Sequence, residues 1–311
     1  MSNIYVSGSL AYDHIMDMPG FFKDYFVPDK LHNINVSFFV PDHAEHFGGT
    51  AGNIAYSLAL LTEKPEIIAT AGNDFERYQK HLEESGIPTG SIHIAKDKPT
   101  AFAYIVTDKA DNQIAAFHPG ANAVPYGDWK PQQGSLAIIA PGCLDDIRAF
   151  PELYNGNGIR FCFDPGQIIP SLTADELRNS MTGAEAVFAN DYEFAQITTT
   201  TGWSEADVVK TAKALIITLG AEGSRVITKD GETRVAAVKI ADVKDPTGAG
   251  DAYRAGYLKG LRLDWPPAKC AQLASVVAAY AVEHVGTQSH RFTIDELKER
   301  YEGAYGESLK I

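Results

Sequence analysis

The chain has 311 residues, 45% of them hydrophobic and 22% charged, which is enough apolar material for a large buried core. Its formal net charge is −13 and no lysine–arginine cluster stands out, so a nucleic-acid partner is not expected, while a small anionic substrate stays compatible with a local anion site. No N-terminal run reads as a signal peptide and no apolar run reaches membrane-spanning length. Cys143, Cys162 and Cys270 form no Cys-x-x-Cys pair, so the expectation is a cytoplasmic protein without membrane attachment, disulfide framework or zinc site.

Strand-like and helical patterns alternate along the chain. Ile4–Gly8 opens as a short apolar strand ending in a glycine turn. A helix follows over Gly52–Leu61, with Ile54, Leu58 and Leu61 on one face. Ile67–Gly72 reads as the next strand, and Asp74–Ser85 as a helix closed by Gly86. Further strands are expected at Leu136–Ala140, Arg160–Asp164, Ala186–Asn190 and Ala214–Thr218, with helical patterns at Thr173–Arg178 and Glu205–Ala212 between some of them. Such alternation predicts an α/β fold with a largely parallel, buried sheet, whose ligands sit beyond the carboxyl ends of the strands.

Two segments break the alternation. Asp13–Phe47 is rich in aromatics and prolines, with a strand-like piece at Asn33–Val40. Thr100–Phe117 alternates like a hairpin around Lys109–Asn112, with Phe102, Tyr104 and Val106 on one face. Together they read as a small β-sheet lid, near residues 13–47 and 98–118, on a single domain spanning the whole chain. Edge strands extending the main sheet are the alternative.

Three short motifs carry the chemistry. In Asp245-Pro246-Thr247-Gly248-Ala249-Gly250-Asp251 small residues precede a helical run, so backbone N–H groups can converge on an anion. A carboxylate at the mouth of an anion site makes sense if Asp251 takes a proton from a hydroxyl while the N–H groups hold a phosphoryl group, which points to a kinase. The plainer reading is a glycine turn with Asp251 near a helix start. In Gly48-Gly49-Thr50-Ala51-Gly52-Asn53 the paired glycines allow close backbone approach to a ligand. Asn53, together with Asp13 after the first strand's turn, suits recognition of a diol, although each equally suits a cap.

The chain resembles the ribokinase-like, or PfkB, carbohydrate kinases over essentially its whole length. The resemblance rests on Gly8–Asp13, Gly48-Gly49-x-x-Gly52-Asn53, Gly72-Asn73-Asp74, Asn190-Asp191-Tyr192-Glu193, Thr218–Ser224 and Asp245–Asp251, in the family's order. The family lacks a Walker loop, and none is present here. The resemblance implies a ribokinase-like three-layer sandwich with a small β-sheet lid. It implies Asp251 as general base, and Gly248, Ala249 and Gly250 as the anion hole for the γ-phosphoryl group of ATP. Asp13, Gly48, Gly49 and Asn53 would bind substrate. Asn190, Thr218, Gly220 and Gly223 would meet ATP, and Asn190 with Glu193 would organise Mg²⁺ through water. Asp245 and Thr247 align with positions that hold a monovalent cation such as K⁺ in many relatives, with Val285–Gln288 as the partner loop. Arg254 departs from the family pattern, which often has Asn there; it is expected either in an ion pair or on substrate or phosphate.

The segments Phe117–Ala121, Asp164–Gln167 and Gly286–Gln288 look most like a bacterial and archaeal adenosine kinase-like subgroup. The aromatics Phe38, Phe39, Phe102 and Phe117 are candidates to stack on a purine, or else form lid core. The expected reaction is therefore phosphorylation of a nucleoside, with the 5′-hydroxyl of adenosine leading and a sugar such as ribose or fructose as the alternative. A non-catalytic sensor is disfavoured because Asp251 and its loop are intact. A homodimer through the lid is expected by the same resemblance.

Overall fold

The computed structural model describes residues 3–27, 33–110 and 112–311, so 28–32 of the expected lid segment and Asp111 of the expected turn lie outside the described residues. In chain order the strands are β1 (Ile4–Ser7), β2 (Ala11–Asp17), β3 (Asp42–Gly48), β4 (Pro65–Ile68), β5 (Thr70–Gly72), β6 (His93–Ala95), β7 (Ala101–Thr107), β8 (Gln113–His118), β9 (Leu136–Ile139), β10 (Arg160–Phe163), β11 (Ala186–Asn190), β12 (Ala214–Thr218), β13 (Ser224–Thr228) and β14 (Gly231–Val235). The α-helices are α1 (Thr50–Leu60), α2 (Glu76–Glu84), α3 (Leu144–Gly156), α4 (Ala174–Met181), α5 (Asp191–Thr201), α6 (Glu205–Thr211), α7 (Ala249–Arg262), α8 (Pro267–Val282) and α9 (Ile294–Tyr305).

The main sheet has the order β14-β13-β12-β11-β10-β9-β1-β4. Its strands run parallel from β12 to β4, and the hairpin β13–β14 closes one edge antiparallel. Period-two alternation along each strand divides the side chains between two cores. Ile4, Val6, Ile138, Phe188 and Ile216 face one layer, which includes α1, α7 and α8. Tyr5, Ile139, Phe161, Val187 and Leu215 face the other, with Ile147 of α3 and Leu177 of α4. Because both faces are covered, the central strands β9, β11 and β12 are apolar along most of their length, and the result is a three-layer α/β/α sandwich.

A second sheet, β3-β2-β7-β8, stands apart from the first. It is therefore a separate lid and not an extension of the main sheet. The expected hairpin is β7–β8, paired antiparallel. The expected strand at Asn33–Val40 is not formed; the strand lies later, at β3, which pairs antiparallel with β2. Phe38 instead closes an aromatic cluster with Phe22, Tyr25 and Phe26, and Pro41, which has no N–H for a ladder, precedes the true strand. The run Ile67–Gly72 also divides: β4 joins the main sheet, whereas β5 pairs with β6 in a separate two-stranded sheet.

Helices α7 and α8 pack closely through small residues. A methyl group on Gly256 would lie 2.6 Å from the Cα of Ala274, so backbone and not a flexible side chain stands in the way. Gly256→Ala is expected to lower stability by about 1–3 kcal/mol, the usual cost of overpacking, readable as a fall in Tm by calorimetry. An unchanged Tm would show that the two helices separate freely.

Candidate active site

A cleft of about 880 Å³ opens where the carboxyl ends of the main-sheet strands meet the lid. Pro141 and Gly142 after β9, Asp164 after β10, Asn190 at the end of β11 and Thr218 at the end of β12 form its floor. This is the crevice position that open α/β sheets give to ligands. Asp13 and Phe117 reach it from the lid, and Gly248–Asp251 with Arg254 reach it from α7.

Three helix N-termini line the cleft, those of α1, α5 and α7, and they are treated differently. Before α1, Gly49 sits at φ 86°, where an added Cβ would lie 2.6 Å from the Ser9 carbonyl oxygen. Ser9 takes up the first turn of this helix: its Oγ accepts from Thr50 N at 3.1 Å and its carbonyl accepts from Ala51 N at 3.0 Å. Before α7, Gly248 adopts the left-handed conformation at φ 78° and no side chain caps the helix. At the cleft, Asn190 caps α5 in a full capping box, whereas no side chain caps the first-turn N–H groups of α7.

Asp251 lies in the first turn of α7. Its Oδ2 accepts a 2.8 Å hydrogen bond from Asn53 Nδ2 of α1. Burial pushes its carboxyl up to about 7; the Asn53 bond and the Arg254 charge oppose this, while Asp164 and Asp13 add to it. Asp13, on β2, is raised to about 6, again by burial, with His46 acting in the opposite sense. Two carboxyls poised near neutrality in one cleft suit proton transfer.

Arg254 is 5% exposed, so of the two environments expected for it the structure places it in an ion pair. Its Nε donates to Asp164 Oδ2 at 2.8 Å and its Nη2 to Asp164 Oδ1 at 3.3 Å, while Nη1 reaches the Gly250 carbonyl at 3.3 Å. The guanidinium also lies 5.1 Å above the Phe188 ring. Asp164 sits 90 residues away in sequence, which is why sequence spacing gave no signal of the pair.

Other expected site residues spread over this frame. Gly49, Asn53, Asn190, Glu193, Thr218, Gly220, Gly248, Ala249 and Gly250 all line the cleft. Gly48 stands just behind it, under Asp13, whose carboxylate would be 2.0 Å from any Cβ there. Asn190 and Glu193 cap each other: Asn190 Oδ1 accepts from Glu193 N and Glu193 Oε2 from Asn190 N, both at 2.7 Å. Gly223 lines a neighbouring, mostly apolar cavity of about 470 Å³ that shares Thr218, Gly220, Pro246, Ala249 and Gly250 with the cleft. Asp245 and Thr247 line neither. The Asp245 carboxylate accepts from Thr247 N at 2.9 Å and from Gly286 N at 3.0 Å, tying its loop to 285–288. Of the four candidate stacking aromatics only Phe117 lines the cleft. Phe102 turns to the other face of the lid, stacked on His118 at 4.9 Å; Phe38 lies in the aromatic cluster and Phe39 is exposed.

Residues 3–293 match the family model of the pfkB family carbohydrate kinases. The chain belongs to this family. The solved structure of Burkholderia thailandensis nucleoside kinase in complex with inosine superposes with a TM-score of 0.91 at 36% identity, over 99% of this chain and 100% of that one. The same protein in complex with ADP-inosine gives a TM-score of 0.87 at 37% identity, over 99% and 97%. The nucleoside kinase of Methanocaldococcus jannaschii is 29% identical over 97% of each chain, and the ATP-dependent 6-phosphofructokinase of Thermoanaerobacterium thermosaccharolyticum is 26% identical over 84% of this chain and 86% of that one. This protein has the ribokinase-like fold and is a phosphotransferase acting on an alcohol group. Family membership supports ATP as the phosphoryl donor. No helix among the described residues is long and apolar enough to cross a membrane.

The raised carboxyl of Asp251 has a thermodynamic consequence. Its value in the fold lies above the ordinary 3.8, so ionising it opposes folding, and stability falls as pH rises from about 4 through about 7. Asp251→Asn is expected to raise Tm at pH 8 and to leave it nearly unchanged near pH 4, measured by calorimetry at both. Equal shifts at the two values would mean that Asp251 is not held protonated by its surroundings.

Proposed function

We propose that the protein is an ATP-dependent nucleoside kinase that transfers the γ-phosphoryl group to the 5′-hydroxyl of a purine nucleoside, with adenosine and inosine as the leading acceptors. The carrying observation is the pair of joined cavities meeting at Gly250, beside Asp251. Cavities of a few hundred to about 1,000 Å³ are the size of drug-like ligands, and here one chamber suits a nucleoside while the apolar one suits the base of the donor nucleotide. The inosine and ADP-inosine complexes of the Burkholderia relative support this reading.

In this reading Asp13 accepts from the ribose hydroxyls and Phe117 lies against the base. Asp251 takes the proton from the acceptor hydroxyl as that oxygen attacks the γ-phosphorus; an ionisation near 7 matches a base working at neutral pH. The open N-terminus of α7, with Gly248, Ala249 and Gly250, holds the transferring phosphoryl group, and its N–H groups offset the charge on the equatorial oxygens. Asn190, Thr218, Gly220 and Gly223 position the donor. Glu193 and Asn190 offer hard oxygen atoms that fit a hydrated Mg²⁺, which would neutralise phosphate charge when bound. The 245–247 and 285–288 loops, already joined through Asp245, are the proposed K⁺ site.

One observation favours a smaller acceptor, a free sugar: only one of the four candidate aromatics lines the cleft. ADP release is the discriminating measurement, with ATP, Mg²⁺ and K⁺ and with adenosine, inosine, ribose and fructose offered separately. Turnover on nucleosides is expected, with a loss of at least about 100-fold in Asp251→Asn and a lower rate when tetramethylammonium replaces K⁺. Turnover on a free sugar alone would remove the nucleoside reading and keep the kinase. The outer strand β8, all six of whose residues are exposed, supports a homodimer through the lid. Light scattering is expected to give twice the monomer mass, and a strictly monomeric protein would contradict it.

A further inference from the structure

Behind the candidate base, Asn53, Tyr78, His81 and Gln288 form a hydrogen-bonded set that reaches from α1 and α2 to the 285–288 loop. Asn53 stands between two partners: its Nδ2 donates to Asp251 and its Oδ1 accepts from Gln288 Nε2 at 2.9 Å. Gln288 Nε2 also lies 2.6 Å from Tyr78 Oη, and Gln288 Oε1 is 3.0 Å from His81 Nε2. Tyr78 Oη donates to the Gly48 carbonyl at 2.7 Å. Asn53, Tyr78 and Gln288 are all buried, so each unmet donor or acceptor would be costly.

The direction of every bond follows from one carbonyl. Gly48 O can only accept, so the single Tyr78 proton goes there and Tyr78 must accept from Gln288. The amide nitrogen of Gln288 therefore faces Tyr78 and Asn53, and its oxygen faces His81. The oxygen of Asn53 must then meet Gln288, which turns the Asn53 nitrogen toward Asp251. His81 supplies the closing donor: its Nε2 faces the Gln288 oxygen, which can only accept, so Nε2 carries a proton, while burial pushes the imidazole down. Phe47 stacks on the His81 ring at 4.2 Å and holds it in place. Gly52 belongs to the same device, because a Cβ there would lie 1.9 Å from Tyr78 Oη and 2.9 Å from Gln288 Nε2.

We infer that Gln288 is a positioning residue: locked in one orientation by Tyr78 and His81, it holds the Asn53 amide so that a donor faces the Asp251 carboxylate. Without it the Asn53 amide is free to turn its oxygen to Asp251, replacing an attraction by a repulsion. The inference rests on the reading of Asp251 as the base. The groups facing Asp251 are Asn53 from α1, Tyr78 from α2, Asp13 from β2, Asp164 after β10 and Arg254 on α7; Gln288 touches Asn53 and Tyr78 but none of the charged ones. The direct hydrogen-bonded route from Gln288 to the Asp251 carboxylate runs through Asn53.

The test is Gln288→Leu, which removes both hydrogen-bonding ends at similar volume, read by NMR titration of the Asp251 carboxyl and by the pH profile of turnover with ATP and inosine. The Asp251 midpoint is expected to rise by about one unit, moving the acid limb of the profile with it. kcat should fall by about 10- to 100-fold, the rate equivalent of a charge-assisted hydrogen bond, with ADP affinity unchanged. Tyr78→Phe should move both quantities the same way by less, and the double variant should lose no more than Gln288→Leu alone. An unmoved midpoint in Gln288→Leu, or additive losses with an unmoved profile, overturns the inference. Should Gln288→Leu fail to fold, an unmoved midpoint in Tyr78→Phe overturns it. Turnover retained in Asp251→Asn would instead remove the base reading, while the titration still decides what Gln288 does to Asp251.

Discussion

The hydrogen bond from Asn53 to Asp251 spans 198 residues of sequence and joins the starts of two helices packed side by side at the cleft. One helix carries the paired glycines at the root of the lid; the other begins after Gly248 with no side-chain cap. Gly49 and Gly248 each take a backbone conformation that other residues adopt only at a cost, and both conformations serve to bring these helix starts within reach of one ligand. Asn53 is buried between them with both ends of its amide committed, so the two halves of the site are in register before any substrate arrives.

Charge is the second constraint. Asp13, Asp164, Glu193 and Asp251 gather in one partly water-excluded space with a single guanidinium, Arg254, among them. Arg254 is already engaged by both oxygens of Asp164, so it offsets only part of the remaining negative charge. Burial consequently lifts Asp251, Asp13 and Glu193 above their ordinary values. A cleft arranged this way gives up stability near neutral pH and gains carboxyl groups able to exchange protons there, the usual tension between a stable fold and a working site.

Much of this was legible in the primary structure, for definite reasons. The alternation of apolar strands and amphipathic helices predicted the layered α/β body because strands covered on both faces must be apolar along most of their length. Glycine clusters marked helix starts because few other residues tolerate those backbone angles. The strand expected at Asn33–Val40 failed because local hydrophobicity cannot tell a strand from an aromatic cluster: Phe38 is half-buried against Phe22, Tyr25 and Phe26, not against a neighbouring strand. Phe102 and Phe117 looked equivalent as stacking candidates, yet pairing places them on opposite faces of the lid.

The sequence by itself determined what depends on neighbours in the chain: the period of each element, the glycine conformations at Gly49 and Gly248, the capping box of Asn190 and Glu193, and the presence of the Asp251 carboxylate in the first turn of a glycine-led helix. Tertiary structure alone decided which distant groups meet. The pairing of Arg254 with Asp164, the orientation of Asn53 by Gln288, Tyr78 and the Gly48 carbonyl, and the lift of Asp251 toward neutrality all require segments 90 to more than 200 residues apart. No local propensity encodes them, because hydrogen-bond direction and the loss of water around a charge exist only once the fold has brought those atoms together and closed over them.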